Sequence, residues 1–302
     1  MAEDLVLLHG FSGTHRAWDG VLAHLDGERY RALALDLPGH GELADAPRPL
    51  TFEGCVESVL ARAPESFALC GYSLGGRVAL HVALAAPAQV RRLVLVSCSP
   101  GIENADERAA RKRSDRELAD ELESIPFEDF IERWRAQPLF AGEPPEAGRL
   151  ARADQRRNRP DALAAALRGI GAGEMGPLWD RLGELAMPLV VIAGERDAKY
   201  RAIGARMVEM AANAQLVLVP GGHGLPLESP AQLARAICSG SQSGSTPRPG
   251  PSGRAIVPST TGSGSSMPAN NPSVASPQGG IEPREAKAAA VWSAAATPSG
   301  PS

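Results

Sequence analysis

"CGYSLGGRVALH", residues 70–81, decides how this chain is read. The apolar run "FALCGYS" (67–73) meets a stretch rich in alanine and leucine, and a serine stands at the junction with a glycine two positions away on either side. A strand that turns abruptly into a helix forces its corner residue into a strained backbone conformation. Side chains two positions before and after would collide with the neighbouring strand or helix, so Gly71 and Gly75 are required there. The pattern G-x-S-x-G is then a nucleophile elbow, which holds the Ser73 hydroxyl above the sheet edge at a helix N-terminus, where negative charge is stabilised. The plainer reading is a glycine-rich turn; the place between strand and helix favours the elbow.

Working outward, short apolar runs alternate with longer helical patterns. "LVLLHG" (5–10), "RALALDLPGHG" (31–41), "FALCGYS" (67–73), "RRLVLVSCSPG" (91–101), "MPLVVIAGERD" (187–197) and "AQLVLVPGGHG" (214–224) read as strands with their following loops. Each run is nearly continuous in Leu, Val and Ala, as in strands covered on both faces, so the sheet is expected to be mostly parallel and flanked by helices. "LGGRVALHVALAAP", stopped by Pro87, "AKYRAIGARMVEMAA" and "SPAQLARAICSG" supply helices, the last with a serine cap and a proline at its first position. The alternation marks an α/β fold. It breaks between 101 and 186, where only helical patterns occur, among them "NADERAARKRSDRELADELES" and "GPLWDRLGEL". An all-helical insertion of that size between two strands suggests a lid over the carboxyl ends of the strands. The domain reading is therefore a core of 1–100 and 187–239, a lid of 101–186, and a tail of 240–302. That tail is rich in Ser, Pro and Gly; it lacks the apolar surface to offset the entropy of ordering it and is expected to be disordered.

Composition excludes several classes. The net charge of −4 gives no bias towards nucleic acid or an anionic membrane. No stretch approaches the length of a membrane span, and "MAEDLVLLHG" has no basic leader region, so a cytoplasmic protein is expected. The four cysteines have neither metal-ligand spacing nor the look of a disulfide framework. The basic residues are nearly all arginine, which suits bidentate recognition of carboxylates, although composition drift alone explains most of them.

A serine hydroxyl is a weak nucleophile or base until a histidine takes its proton and a carboxylate orients that histidine. Of the six histidines, His15, His24 and His81 read as surface or packing residues, and His9 and His40 precede the serine. His223, in the loop after the last strand, and Asp197, after the preceding strand, complete the order Ser73, Asp197, His223 expected of such a fold. The competing readings are a satisfied loop histidine and a helix N-cap before "AKYRAI". The oxyanion hole requires two backbone N–H groups, from Leu74 and from Phe11 in "HGFSG", where Gly10 allows close approach. Arg77, one turn after Ser73, lies on the helix face towards the elbow.

With "LLHGF", "DLPGHG", "GYSLGG", "GERD" and "GGHG" arriving in order, residues 5–239 resemble the α/β-hydrolase superfamily. "DERAARKRSD", "WRAQPLF", "ALRGIGAGEMGPLW" and "GERDAKY" narrow the resemblance to its pyruvate-eliminating lyases of menaquinone biosynthesis. That resemblance implies a small polycarboxylate substrate, no metal or organic cofactor, and proton abstraction rather than acyl transfer. It also implies substrate contacts at Arg77, at Arg111 in "ERAAR" and at Trp134 in "ERWRAQPLF", with a further arginine at Arg152 or Arg156. A serine hydrolase of a carboxylate-bearing ester or C–C bond is the alternative, and a non-catalytic binding protein on the same scaffold the third reading. Two features depart from the family. Only four residues precede the first apolar run, so a shortened start with an exposed sheet edge is expected. The tail is foreign to it, read as a linker or as the translation of frameshifted DNA.

Overall fold

The apolar runs form strands because both of their faces are covered. In a computed structural model, which describes residues 2–239, they become β1 (Glu3–Leu8), β2 (Tyr30–Leu35), β3 (Phe67–Tyr72), β4 (Val90–Val96), β5 (Leu189–Gly194) and β6 (Ala214–Val219). The tail expected from residue 240 onward lies outside the described residues. All neighbours pair in parallel, in the order β2-β1-β3-β4-β5-β6. Alternate side chains enter two different cores. Val6, Leu8, Leu69, Leu93, Leu95 and Val191 point to one face, and Leu5, Leu7, Cys70, Val94, Val190 and Ile192 to the other.

Helices close both faces. The short α1 (Asp19–Leu22) is followed by α2 (Phe52–Leu60) and α3 (Leu74–Ala85). Between β4 and β5 come α4 (Ala105–Ser124), α5 (Phe127–Arg135), α6 (Pro145–Gln155) and α7 (Pro160–Ile170). The described residues end with α8 (Ala198–Met210), α9 (Leu225–Glu228) and α10 (Pro230–Ser239). Phe52, Val78 and Met207 of α2, α3 and α8 pack on the first face; Val21, Leu225, Leu233 and Ile237 of α1, α9 and α10 pack on the second. The α/β fold expected from the sequence is the one observed.

Two details differ from the sequence reading. Helix α2 was not anticipated; Thr51 caps it by accepting from the Gly54 N–H. "GPLWDRLGEL" forms only a 3-10 turn, Trp179–Glu184, anchored by the Trp179 indole N–H on the Gly101 carbonyl at 2.9 Å. β1 lies inside the sheet between β2 and β3, so β2 and β6 form the sheet edges, and the β2 edge is exposed. Arg31 and Leu33 are exposed there, and Arg31 pairs with Asp4 at 2.7 Å, a charge that discourages further strand pairing.

From β4 to β5 the described chain is helical throughout its regular structure. Leu122, Phe130, Trp134, Leu163 and Leu167 form a small cluster of their own there. No described helix is long and apolar enough to cross a membrane. Among the described residues no group of three or more His, Cys, Asp or Glu is arranged to hold a metal. Burial pushes the Cys55 and Cys98 thiols up to about 12, which leaves them inert.

Behind β1 and β2 lies a buried polar cluster. His9 Nδ1 donates to the Gly10 carbonyl at 2.8 Å while its Nε2 accepts the Leu37 N–H at 3.1 Å, so the ring is neutral. The His40 ring sits 5.0 Å away. Burial holds both histidines below their ordinary pKa, His40 at about 3. Burial pushes the neighbouring Asp36 carboxyl up, but N–H bonds from Glu42 and His15 outweigh it and leave the carboxyl lowered. The unfolded chain therefore binds protons at His40 from about pH 6.5 downward while the folded chain does not, and stability falls with pH from there to about 3. His40 alone contributes a slope of about 1.4 kcal/mol per pH unit within that window; His9 and Asp36 act in the same direction. Urea midpoints measured from pH 7 to pH 4 are expected to drop steeply in the native protein and less steeply in His40→Leu; parallel slopes would refute this account.

Candidate active site

The strained corner expected at Ser73 is present: φ is 51° and ψ −107° at the junction of β3 and α3. A Cβ on Gly71 would overlap the Gly75 carbonyl oxygen, and one on Gly75 would overlap the Leu8 carbonyl oxygen at the end of β1. The corner is thus pressed against its own helix on one side and the neighbouring strand on the other. Ser73 N–H bonds to the Val96 carbonyl at 2.9 Å, which aims the side chain away from the sheet.

The strand ends deliver the partners. Asp197 follows β5, and one of its oxygens accepts from the Tyr200 N–H at 3.2 Å, so it does cap α8. Its other oxygen accepts from His223 Nδ1 at 2.9 Å. A carboxylate only accepts, so Nδ1 carries the proton, and the Nε2 lone pair faces the Ser73 hydroxyl at 3.3 Å. The helix cap and the contact with His223 thus use one oxygen of Asp197 each. The loop bearing His223 is fixed by Glu228, which accepts the Gly222 and Gly224 N–H groups at 2.8 and 3.0 Å. The Tyr200 and Tyr72 rings flank the imidazole at 4.7 and 5.5 Å.

The two residues expected to supply oxyanion N–H groups lie at the start of α3 and in the turn after β1. Leu74 opens α3 and has no acceptor within its helix. Phe11 sits in the turn closed by the Gly13 N–H on the Gly10 carbonyl at 3.2 Å. A Cβ on Gly10 would lie 2.7 Å from the Tyr72 ring, so the close approach expected of Gly10 is real.

Ser73, His223, Phe11 and Leu74 line one cavity of about 970 Å³. Arg77, Arg111 and Trp134 line it too. Arg77 donates to the Ile170 carbonyl at 3.1 Å. Burial, and then the Arg111 charge, push its guanidinium down to about 10, so it stays charged at neutral pH. Arg111 is braced by Asp115 at 2.7 Å, whose other oxygen accepts the Gly173 N–H. The Trp134 ring packs 5.0 Å from Phe11.

The further arginine expected at 152 or 156 is not there. Arg152 is engaged by Glu132 at 2.7 and 3.0 Å, and Arg156 by Glu128 at 2.8 Å, both in exposed two-pronged pairs away from the cavity. The helix turns them to solvent, where their charges need no burial. The cations missed are Lys199 and Arg206. Burial, then Arg111, lowers the Lys199 pKa. The signal was available: a helix capped by Asp197 must present its first turn, Lys199 and Tyr200, to whatever Asp197 serves.

A serine on a strand–helix corner, met by histidine and aspartate from later strand ends of a parallel sheet, defines a class. The chain belongs to the alpha/beta hydrolase family, whose family model matches residues 5–236. Within that family it is similar to a 2-succinyl-6-hydroxy-2,4-cyclohexadiene-1-carboxylate synthase of Escherichia coli O1:K1 / APEC, with 36% identity over 77% of this chain and 91% of that protein. A putative synthase of the same name from Bacillus subtilis (strain 168) is 32% identical over 78% of this chain and 89% of its own length. Among solved structures, MenH from S. aureus superposes with a TM-score of 0.74 at 30% identity, over 79% of this chain and 92% of that one. A hydrolase from Pseudomonas aeruginosa PA01 matches at 26% identity with a TM-score of 0.62, over 80% and 91%.

Because Gly75 abuts a backbone carbonyl that cannot move without breaking β1, Gly75→Ala is expected to cost about 3 kcal/mol or more in urea unfolding. A midpoint equal to that of the native chain would mean the corner is not built this way.

Proposed function

We propose that this chain eliminates pyruvate from 2-succinyl-5-enolpyruvyl-6-hydroxy-3-cyclohexene-1-carboxylate, giving 2-succinyl-6-hydroxy-2,4-cyclohexadiene-1-carboxylate in menaquinone biosynthesis. The observation that carries this is the Ser73–His223–Asp197 relay opening on a cavity walled by Arg77 and Arg111. A pocket for a small neutral ester gains nothing from cations, since an unmatched charge is costly to bury. A substrate with several carboxylates matches them, because guanidinium forks bind carboxylates in bidentate fashion. The names of the similar synthases agree with this choice.

In the proposed reaction Ser73 acts as a base. Its proton passes to His223 Nε2 as its oxygen takes the ring proton beside the succinyl ketone. The Phe11 and Leu74 N–H groups carry the negative charge that develops on the ketone oxygen. That charge collapses through the ring double bond to expel the enolate of pyruvate; the imidazolium gives its proton to this leaving group while Ser73 keeps the one taken from the ring, and enolpyruvate rearranges to pyruvate. Asp197 stabilises the imidazolium throughout. Proton transfer and charge stabilisation suffice, so no cofactor is invoked, and we assign the substrate as a small polycarboxylate met in the cytoplasm. Arg77 and Arg111 would hold its carboxylates, with Trp134 against its ring and residues 101–186 as the lid. Hydrolysis of a carboxylate-bearing ester is the second reading, favoured by the same relay.

The test is pyruvate release from freshly generated precursor, beside a neutral nitrophenyl ester. Release above the spontaneous rate, lowered by about 10³ or more in Ser73→Ala, is expected. Arg77→Ala is expected to lower kcat/KM on the precursor ~10–100-fold, the worth of a charge-assisted bond, and to change ester cleavage little. Arg152→Ala and Arg156→Ala should stay within ~2-fold of the native rate. Equal losses on both substrates in Arg77→Ala would favour the hydrolase.

A further inference from the structure

The segment that carries Arg152 and Arg156 outward carries three other polar side chains inward, to the loop that holds Phe11. Asp154 accepts from the Thr14 N–H at 2.8 Å and from the Thr14 hydroxyl at 2.5 Å. Gln155 Nε2 donates to the Ser12 hydroxyl oxygen at 2.8 Å. Asn158 Nδ2 donates to the Ser12 carbonyl at 2.8 Å, and its oxygen accepts the Gly41 N–H at 3.0 Å. Ser12, Thr14, Asp154, Gln155 and Asn158 are all buried, each at 6% exposure or less. Roughly 140 residues of chain separate the two sides of these bonds.

Ser12 itself is unusual. It is not glycine, yet its φ is 61°, in the left-handed region, at the third position of the turn Gly10–Gly13. Such a conformation persists only where the surroundings over-determine it. Here Gln155 grips its side chain, Asn158 its carbonyl, and Asp154 holds the residue after the next. An apolar contact would hold the helical insertion equally well without fixing any direction. Buried hydrogen bonds fix direction, because each is costly to leave unmade.

We propose that Asp154, Gln155 and Asn158 are positioning residues: they lock Ser12 in its left-handed conformation and so aim the adjacent Phe11 N–H at the oxyanion that forms beside Ser73. The oxyanion hole is then complete only when the α6–α7 junction is seated on the loop. This rests on the proposed roles of Ser73 and Phe11, but not on the identity of the substrate.

A neutral nitrophenyl phosphonate tests it independently of the lyase reaction. The Ser73 oxygen attacks phosphorus, nitrophenolate leaves, the serine proton passes to His223, and the phosphoryl oxygen uses the same two N–H groups. In Gln155→Met and Asp154→Asn the rate of nitrophenolate release is expected to fall ~10-fold or more, part of the 10²–10³ that a whole oxyanion donor is worth. For pyruvate release, kcat should fall by a similar factor with KM within ~3-fold. The pH midpoint of phosphonylation, which reports His223, should not move. Thr14→Ser, which keeps the hydroxyl, should react at the native rate and Thr14→Val should not. A folded Gln155→Met that is phosphonylated at the native rate overturns the proposal, as does a rate loss accompanied by a shifted pH midpoint. If Asp154→Asn fails to fold, Gln155→Met and the Thr14 pair carry the test. If the native protein releases no pyruvate but Gln155→Met still slows phosphonylation, the substrate reading falls and the positioning role stands.

Discussion

Everything at this site depends on one contact between backbones, the approach of Gly75 to the Leu8 carbonyl at the end of β1. No side chain fits in that space. Because α3 starts there, Ser73 is lifted off the sheet at the point where β1 ends and the loop with Phe11 begins. Ser73 and the loop with Phe11 are thus neighbours through the β1–β3 pairing, in which Leu8 stands beside Gly71. Leu74, the second proposed oxyanion donor, is covalently next to the serine. Rigid elements rather than flexible loops set these distances, and that rigidity is what electrostatic stabilisation of a transient charge requires.

The cavity above the corner has a different origin. Its floor belongs to the sheet, but its walls come from the helices between β4 and β5 and from the first turn of α8. Arg77 rises from α3, Arg111 from α4 and Lys199 from α8, so the positive wall is assembled from three separate elements. Arg111 is paired with Asp115, and Arg77 is held by a carbonyl and by the Phe52 ring 5.9 Å away.

The same insertion has two faces with opposite tasks. Outward, Arg152 and Arg156 pair with Glu132 and Glu128 in exposed bridges that are screened by solvent. Inward, Asp154, Gln155 and Asn158 make buried bonds with the loop after β1. Residues one or two apart on a helix point in different directions, so a stretch that turns Arg152 and Arg156 outward turns Asp154 and Gln155 inward.

By itself the sequence determined the sheet, the elbow and the order of the triad. These follow from local rules: continuous apolar runs become strands buried on both faces, Gly71 and Gly75 leave room for the corner, and Asp197 and His223 sit at strand ends because a parallel sheet gathers such ends on one side. Tertiary structure alone decided which charges face the cavity. Arg77 and Arg111 were legible because one lies a turn from Ser73 and the other in a familiar motif. Arg152 and Arg156 were not, because the rotation of α6 about its axis depends on what it packs against. The grip of Asp154, Gln155 and Asn158 on Ser12 and Thr14 arises from contacts between segments far apart in the chain. No local pattern encodes such contacts; they exist only where burial makes an unpaired polar group too costly to leave unmatched.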